Sequence, residues 1–466
     1  MSTPARGLTS ETNQVKNEMK TKRPATARTL HRQIGWVAAF VAMAWALTGF
    51  LHPVMSWTAP RPAVQAPPYG GQIRTLPDIP GQFLDKSGQI RTVQVRLVTI
   101  GGRPYWMSTD PSMTRKTVAD ALTGEAAPEA EEAHAIALAR HYAALPEAGV
   151  RSVEIIDRFN TEYPQINRLL PVWRVAFETP EGLAVYVDTG ADRLAAVTDG
   201  RRRALLWVFQ NAHTLKFLGF AEPLRVALLA GLILSVIATS LIGAALLLKA
   251  KGRGLRKAHT LAAWAALPFI LTFTVSGMFH LFVTMGPGQA LPPPGVFSLA
   301  DLAAPRPGPG SLYGLIATAG PDGKPVWRIE TGGGIAYQGA ATGHSDADRA
   351  RAIAGAGPEA AVSLVTRFGR DYSFANKRLP VMRVEGPEGP VFVDVREGLI
   401  AAAPRKSALQ KAEGWSFDVL HKWEFLRPIG TKNRDYLLMT TVGVIFLTAA
   451  LGLALLPRRR RKQPRG

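Results

Sequence analysis

The sequence has 466 residues, a net charge of +20, 47% hydrophobic residues and no cysteine. The length allows roughly three domains, and the lack of cysteine excludes disulfides, iron–sulfur ligation, thiolate-bound haem and covalent haem attachment through C-x-x-C-H, leaving histidine as the leading candidate ligand for any metal or haem. Lysine and arginine crowd against the hydrophobic blocks, which is the pattern of a membrane surface and not of a nucleic-acid binder.

The first apolar stretch, about 34–51, is bracketed by Leu30-His31-Arg32 and Leu51-His52-Pro53. Twenty-one residues of helix place the two imidazoles ~31 Å apart along the axis and about 60° apart around it. They therefore mark opposite bilayer faces on one side of a span. This span is read as an uncleaved anchor, because it is long and no A-x-A cleavage site follows promptly. A connector rich in Pro and Gly follows at 60–80, with Trp57 and Tyr69 near the expected interface. Alternation at 92–100, with Val93, Val95 and Leu97 on one face, predicts a strand. A helix is expected at 128–144, where Glu129, Glu131 and Glu132 crowd the N-terminal turn. Strands are expected again at 150–159, 171–178 and 183–188, which makes a small α+β domain.

Three further apolar stretches, about 224–248, 261–283 and 436–456, are long enough to cross a bilayer. Pro268 in the third is tolerable as a kink in a packed membrane helix. Basic residues flank one side of the set: Lys16, Lys20, Lys22, Arg23, Arg28 and Arg32, then Lys249, Lys251, Arg253, Arg256 and Lys257, then 458–462. The positive-inside rule places both termini and the middle loop in the cytoplasm and the two long connections outside it. The expected division is a basic N-terminus (1–30), spans at 31–52 and 259–283, and translocated domains at 53–206 and 284–414. Interfacial histidine segments each run into a span at 207–248 and 415–456, with a basic loop at 249–258 and a basic tail at 457–466.

The second translocated region repeats the first. Arg158-Phe159, Glu162-Tyr163, Asn167, Leu170-Pro171-Val172 and Arg174-Val175 return 209 positions later as Arg367-Phe368, Asp371-Tyr372, Asn376, Leu379-Pro380-Val381 and Arg383-Val384. Tyr186-Val187-Asp188 matches Phe392-Val393-Asp394, and Trp207 with His213 matches Trp415 with His421. His259 and His280 repeat the spacing of His31 and His52, while Trp36 answers Trp264 and Thr48-Gly49 answers Ser276-Gly277. Two copies of one unit, each with an even number of spans, are expected to share one orientation about an axis along the membrane normal.

Six of the nine histidines fall at span boundaries: His31 and His259 at the cytoplasmic ends, and His52, His213, His280 and His421 at the outer ends. Pairs of imidazoles on neighbouring helices suit a low-spin haem that transfers electrons and leaves no open position. His31 with His259 is the expected inner pair. The outer site is open between His52 with His280 and His213 with His421, and mixed pairs would allow three haems; at least two are expected. Trp36, Trp45, Trp264, Phe269 and Phe273 are read as packing, and Gly49 and Gly277 as points of close approach to a neighbour or a flat macrocycle. His134 and His141 share a helix face without metal spacing, and are read with His344 as surface or half-buried structure. Arg201-Arg202-Arg203 and Arg405-Lys406 are candidates for lipid phosphate, for an anionic substrate or for haem propionates.

The Leu-His-Arg opening of the first span and its Thr48-Gly49 close, His213 before the second span, and the Leu-Pro-Val-x-Arg-Val strands leading to Tyr-Val-Asp or Phe-Val-Asp resemble the PepSY-associated transmembrane family of bacterial inner membranes. The resemblance covers nearly the whole chain apart from the first 25 or so residues and the basic tail. It implies four transmembrane helices with periplasmic α+β PepSY-like domains, b-type haem and a role in reducing ferric siderophores. No Rossmann glycine fingerprint or P-loop is present, so electrons are expected from quinol or a cytoplasmic reductase. Two other functions compete: a haem-free sensor or protease-regulating module that binds peptide, and a transporter. The scarcity of charge at mid-depth in the spans weighs against the transporter.

Overall fold

The computed structural model describes residues 26–68, 72–73, 76–79, 91–248, 252–285, 291–307, 310–339, 345–369, 371–404 and 407–456. Lys16, Lys20, Lys22, Arg23, Tyr69, Lys249, Lys251, His344, Arg405, Lys406 and 458–462 lie outside them. The helices are α1 (Ala27–Trp57), α2 (Glu129–Ala143), α3 (Gly200–His213), α4 (Glu222–Leu247), α5 (Leu255–Thr284), α6 (Asp346–Ala354), α7 (Ala408–Ser416) and α8 (Thr431–Ala454). The chain folds into two units. One comprises Met1–Phe50, Ala212–Val283 and Glu413–Gly466, and the other Leu51–Asn211 and Thr284–Ala412.

The first unit is helical. α1, α5 and α8, with α4 and the 3-10 turn before it, are long and apolar enough to cross a membrane. Between 11% and 22% of each apolar window is buried, leaving most of each helix surface for lipid. The buried stripe on α4, Val226, Leu229, Ile233 and Val236, keeps helical spacing and so forms one inward face. Pro53 and Pro268 sit inside α1 and α5.

The second unit is rich in strands. In chain order these are β1 (Arg91–Thr92), β2 (Gln94–Ile100), β3 (Arg103–Thr109), β4 (Lys116–Asp120), β5 (Val150–Ile156), β6 (Val172–Phe177), β7 (Ala184–Asp188) and β8 (Arg193–Thr198). The second half supplies β9 (Phe297–Ser298), β10 (Leu312–Ala319), β11 (Pro325–Thr331), β12 (Gly334–Gly339), β13 (Val362–Val365), β14 (Val381–Val384), β15 (Val391–Asp394) and β16 (Leu399–Ala402). The elements expected at 92–100, 128–144, 171–178 and 183–188 correspond to β2, α2, β6 and β7. The strand expected at 150–159 ends early, at Ile156.

β5 to β8 and β13 to β16 form two antiparallel four-stranded meanders of the same order. Each carries one helix on its apolar face. Leu138 and Tyr142 of α2 pack on Val175, Phe177, Val185 and Val187, and Ala350 of α6 packs on Met382, Val384 and Val393. On the other side Tyr163 stacks on Tyr186 and donates to Leu169 O, while Tyr372 packs on Phe392 and donates to Arg378 O. The remaining strands form one sheet in the order β12-β11-β10-β2-β3-β4. The segments 53–206 and 284–414 thus give three strands each to a common sheet, joined by the antiparallel register Leu97↔Leu315 and Val95↔Ala317. Trp106 and Trp327 meet over this seam with ring centroids 6.1 Å apart. Each indole donates to a backbone carbonyl, Asp78 O at 2.9 Å and Ala303 O at 2.8 Å, so burial leaves neither N–H unsatisfied.

A buried ionic network also ties the halves. Arg193 pairs with Asp188 of its own half and with Asp394 and Glu397 of the other, and Arg378 pairs with Glu397 at 2.9 Å. Burial pushes the Asp188 and Asp394 carboxyls up. It also opposes ionisation of Glu397, but the Arg193 and Arg378 guanidiniums overcome it and hold that carboxyl down at about 2.

Candidate functional site

His31 lies in the second turn of α1. Its Nδ1 is 3.1 Å from the carbonyl oxygen of Thr239 on α4. A carbonyl only accepts, so Nδ1 carries the hydrogen and the lone pair sits on Nε2. His259 on α5 repeats the arrangement, with Nδ1 3.1 Å from the carbonyl oxygen of Thr448 on α8. Glycine makes room for both rings. A Cβ on Gly243 would come within 3.1 Å of His31 Cε1, and one on Gly452 within 3.3 Å of His259 Cε1. The two imidazoles lie within electrostatic reach of one another.

A second matched pair is His213, at the end of α3, and His421, at the end of a single π-helical turn (Phe417–His421). His213 Nδ1 is 2.8 Å from the Thr48 hydroxyl, whose own hydrogen goes to Ala44 O at 2.9 Å. His421 Nδ1 is 3.2 Å from the Ser276 hydroxyl, whose hydrogen goes to Thr272 O at 2.6 Å. Each hydroxyl lies within reach of both a helix carbonyl and a ring nitrogen, so both outer rings are held at Nδ1. Trp45 packs on His213 at 6.3 Å and Phe273 on His421 at 5.6 Å. His421 is within electrostatic reach of both His213 and His280.

The remaining boundary histidines differ between halves. His280 Nδ1 is 2.6 Å from Oε1 of buried Glu413, and the ring stacks on Phe417 at 3.9 Å. His52 meets Phe209 edge-on at 5.9 Å and belongs to the strand-rich unit.

Several expected roles change. Trp36 and Trp264 expose 52% and 50% of their surface and so do not pack against the rest of the chain, whereas Phe269 and Phe273 do pack, against Trp423. A Cβ on Gly49 would meet nothing within 4 Å and one on Gly277 only ordinary contact, so the crowded glycines are Gly243 and Gly452 instead. Arg201, Arg202 and Arg203 donate to Thr58 O, Met55 O and Gly182 O, and the first two thereby satisfy carbonyls at the C-terminal end of α1. His134 is fully buried because Asp192 receives it at 2.6 Å and Arg96 shares the same carboxylate. Burial opposes that carboxylate's charge, but Arg96 and His134 hold the Asp192 carboxyl well below the usual range. His141 Nε2 is 2.9 Å from Ala66 O.

Among the described residues no three His, Asp or Glu side chains converge as a metal-ion site, so paired imidazoles are the ligand sets to consider. Two cavities in the strand-rich unit, of about 20 Å³ and 190 Å³, are smaller than the ~300 Å³ at which organic ligands are usually housed. No protein-family model, curated protein or solved structure matches this chain. An imidazole tethered through Nδ1–H to a fixed oxygen is oriented as a ligand through Nε2, and the tether strengthens that nitrogen as a donor.

Proposed function

We propose that this chain is a b-type haem oxidoreductase of the bacterial inner membrane, passing electrons across the bilayer to a periplasmic ferric siderophore. The observation that supports it best is the shared Nδ1 tether of four histidines in two matched pairs: His31 with His259, and His213 with His421. Each pair would hold one haem b through Nε2. Haem ligated by two imidazoles supplies reversible one-electron chemistry at iron with no open position for oxygen. The chain's own contribution is orientation. Thr239 O and Thr448 O fix the inner rings, the Thr48 and Ser276 hydroxyls fix the outer ones, and Gly243 and Gly452 let the inner rings lie against a neighbouring helix.

The positive-inside bias puts both termini in the cytoplasm, the two parallel repeats in one orientation and the PepSY-like modules in the periplasm. Quinol or a cytoplasmic reductase supplies the electrons. Reduction of Fe(III) to Fe(II) weakens a chelate built from hard oxygen donors, and so releases the metal. The test is haem content per chain and the dithionite-reduced minus oxidised spectrum of the detergent-purified protein. The expected result is about two b-type haems with sharp low-spin bands. A protein without haem, expressed with ample haem supply, would sink this reading and leave the peptide-binding or regulatory module in its place.

A further inference from the structure

The apolar face that the first meander turns toward α2 is not covered to its edge. Leu138 and Tyr142 of α2 sit over Val175, Phe177, Val185 and Val187, with Trp173 packed at the margin. Ile155 is the cross-strand neighbour of Trp173 and so shares its face, yet it stands outside this cluster and is 52% exposed. A single exposed aliphatic residue is ordinary, but this one forms a wall of the 190 Å³ cavity. Ile155, Pro171 and Trp173 give the cavity its apolar lining. Thr114, Arg115 and Lys116, where the chain enters β4, and Glu131 of α2 give it a polar side.

Most of those polar groups are already committed. Glu131 Oε1 accepts from Trp173 Nε1 at 2.9 Å and from the Thr189 hydroxyl at 2.7 Å, and Lys116 stands 3.4 Å away, so the carboxylate is balanced and the indole is fixed. The Thr114 hydroxyl is 2.6 Å from that of Ser112. Asp110, the acid of the same turn, accepts the backbone N–H groups of Thr114 and Arg115, each at 2.8 Å. Among the described residues no carboxylate pairs with the Arg115 guanidinium. With Lys116 set against Glu131, the lining therefore presents one unanswered positive charge beside an apolar wall.

Volume narrows the class of ligand. An apolar cavity of about 150 Å³ takes up benzene, so 190 Å³ suits one ring with a small substituent and falls short of the ~300 Å³ that larger organic ligands need. We infer that this cavity binds a compact aromatic monocarboxylate of benzoate size. The ring lies against Ile155, Pro171 and the Trp173 indole, and the carboxylate meets the planar fork of Arg115. The site uses none of the boundary histidines and stands independently of the haem reading.

The experiment titrates full-length, detergent-purified protein with 4-fluorobenzoate by fluorine nuclear magnetic resonance, with 4-fluorobenzyl alcohol as the neutral probe of the same ring. The wild type should bind the benzoate saturably, and the alcohol about 10-fold more weakly or worse. Arg115→Met should weaken benzoate binding about 10- to 100-fold, the scale of hydrogen bonds to a charged group, and leave the alcohol unchanged. Ile155→Trp fills the cavity from an exposed position and should abolish saturable binding of both probes with the thermal melt unaltered. Uptake of either probe by micelles does not saturate and is common to every variant. Absence of saturable benzoate binding in the wild type would overturn the inference. So would wild-type benzoate affinity in either variant, or an alcohol that binds as tightly as the benzoate. None of these outcomes touches haem content, so the reductase reading stands or falls separately.

Discussion

The two units handle buried polar groups in opposite ways. In the strand-rich unit charges cancel locally: Arg193 answers three carboxylates, Arg378 shares Glu397, and Asp192 is divided between Arg96 and His134. The Arg193 network ties the two half-domains together, and the Arg96–Asp192–His134 cluster braces the first of them. In the helical unit four imidazoles are each tethered at Nδ1 by a neutral oxygen, which orients the ring through that nitrogen. A network that cancels itself is architecture, and a ring held by one nitrogen is positioned for a ligand. His134 shows the difference within one residue type: hydrogen-bonded to Asp192, buried and structural.

The largest expected effect breaks the helical side of this comparison. His31→Ala or His259→Ala should remove the inner haem and abolish electron entry, with the strand-rich unit still folded by circular dichroism. If both variants kept full haem content, the pairing would be wrong. Arg193→Met attacks the other side. It removes the cation shared by three buried carboxylates, leaving Arg378 on Glu397 alone, and should destabilise the strand-rich unit by about 3–5 kcal/mol in denaturant melts, with the haem spectrum unaltered. Thr48→Val and Ser276→Ala sharpen the role of the tethers, and haem affinity should fall about 10- to 100-fold in a haem-transfer assay. His134→Ala should leave the spectrum unchanged, and any spectral shift there would restore it as a ligand.

The smallest effect concerns Lys377, whose ammonium is pushed down to about 8 by burial and by the Arg202 charge. Between about 8 and the ordinary lysine value the unfolded chain binds more protons than the folded one, so this residue makes stability rise with pH across that window. Lys377→Met should flatten the rise in thermal melts between pH 8 and 10. An unchanged slope would show that the lysine is not desolvated.

The spans, the α2 helix and most strands of the first meander were legible because they are local patterns: apolar length, an acidic first turn, alternation. The histidines were legible through the internal repeat, His213 and His421 at an offset of 208 and His31 and His259 at 228, alongside the 209-residue offset of the strand motifs. That offset also runs through Thr239 and Thr448 and through Gly243 and Gly452, so the tethers and crowded glycines were within reach of the same comparison. The six-stranded sheet was not, since β2 and β10 pair across more than 200 residues and neither carries a local mark of its partner. Arg201 to Arg203 read as surface cations, and their use in satisfying carbonyls depends on where α3 is laid down. Glu413 gives no sequence signal of its own as a partner of His280, because a single acid in a short helix has no period.

The most direct test of the central claim, paired imidazoles ligating through Nε2, is low-temperature electron paramagnetic resonance of the oxidised, detergent-purified protein. The account predicts two low-spin ferric signals of bis-imidazole type, one lost in His31→Ala and the other in His213→Ala. A high-spin axial signal, or loss of both signals from either single substitution, would contradict it.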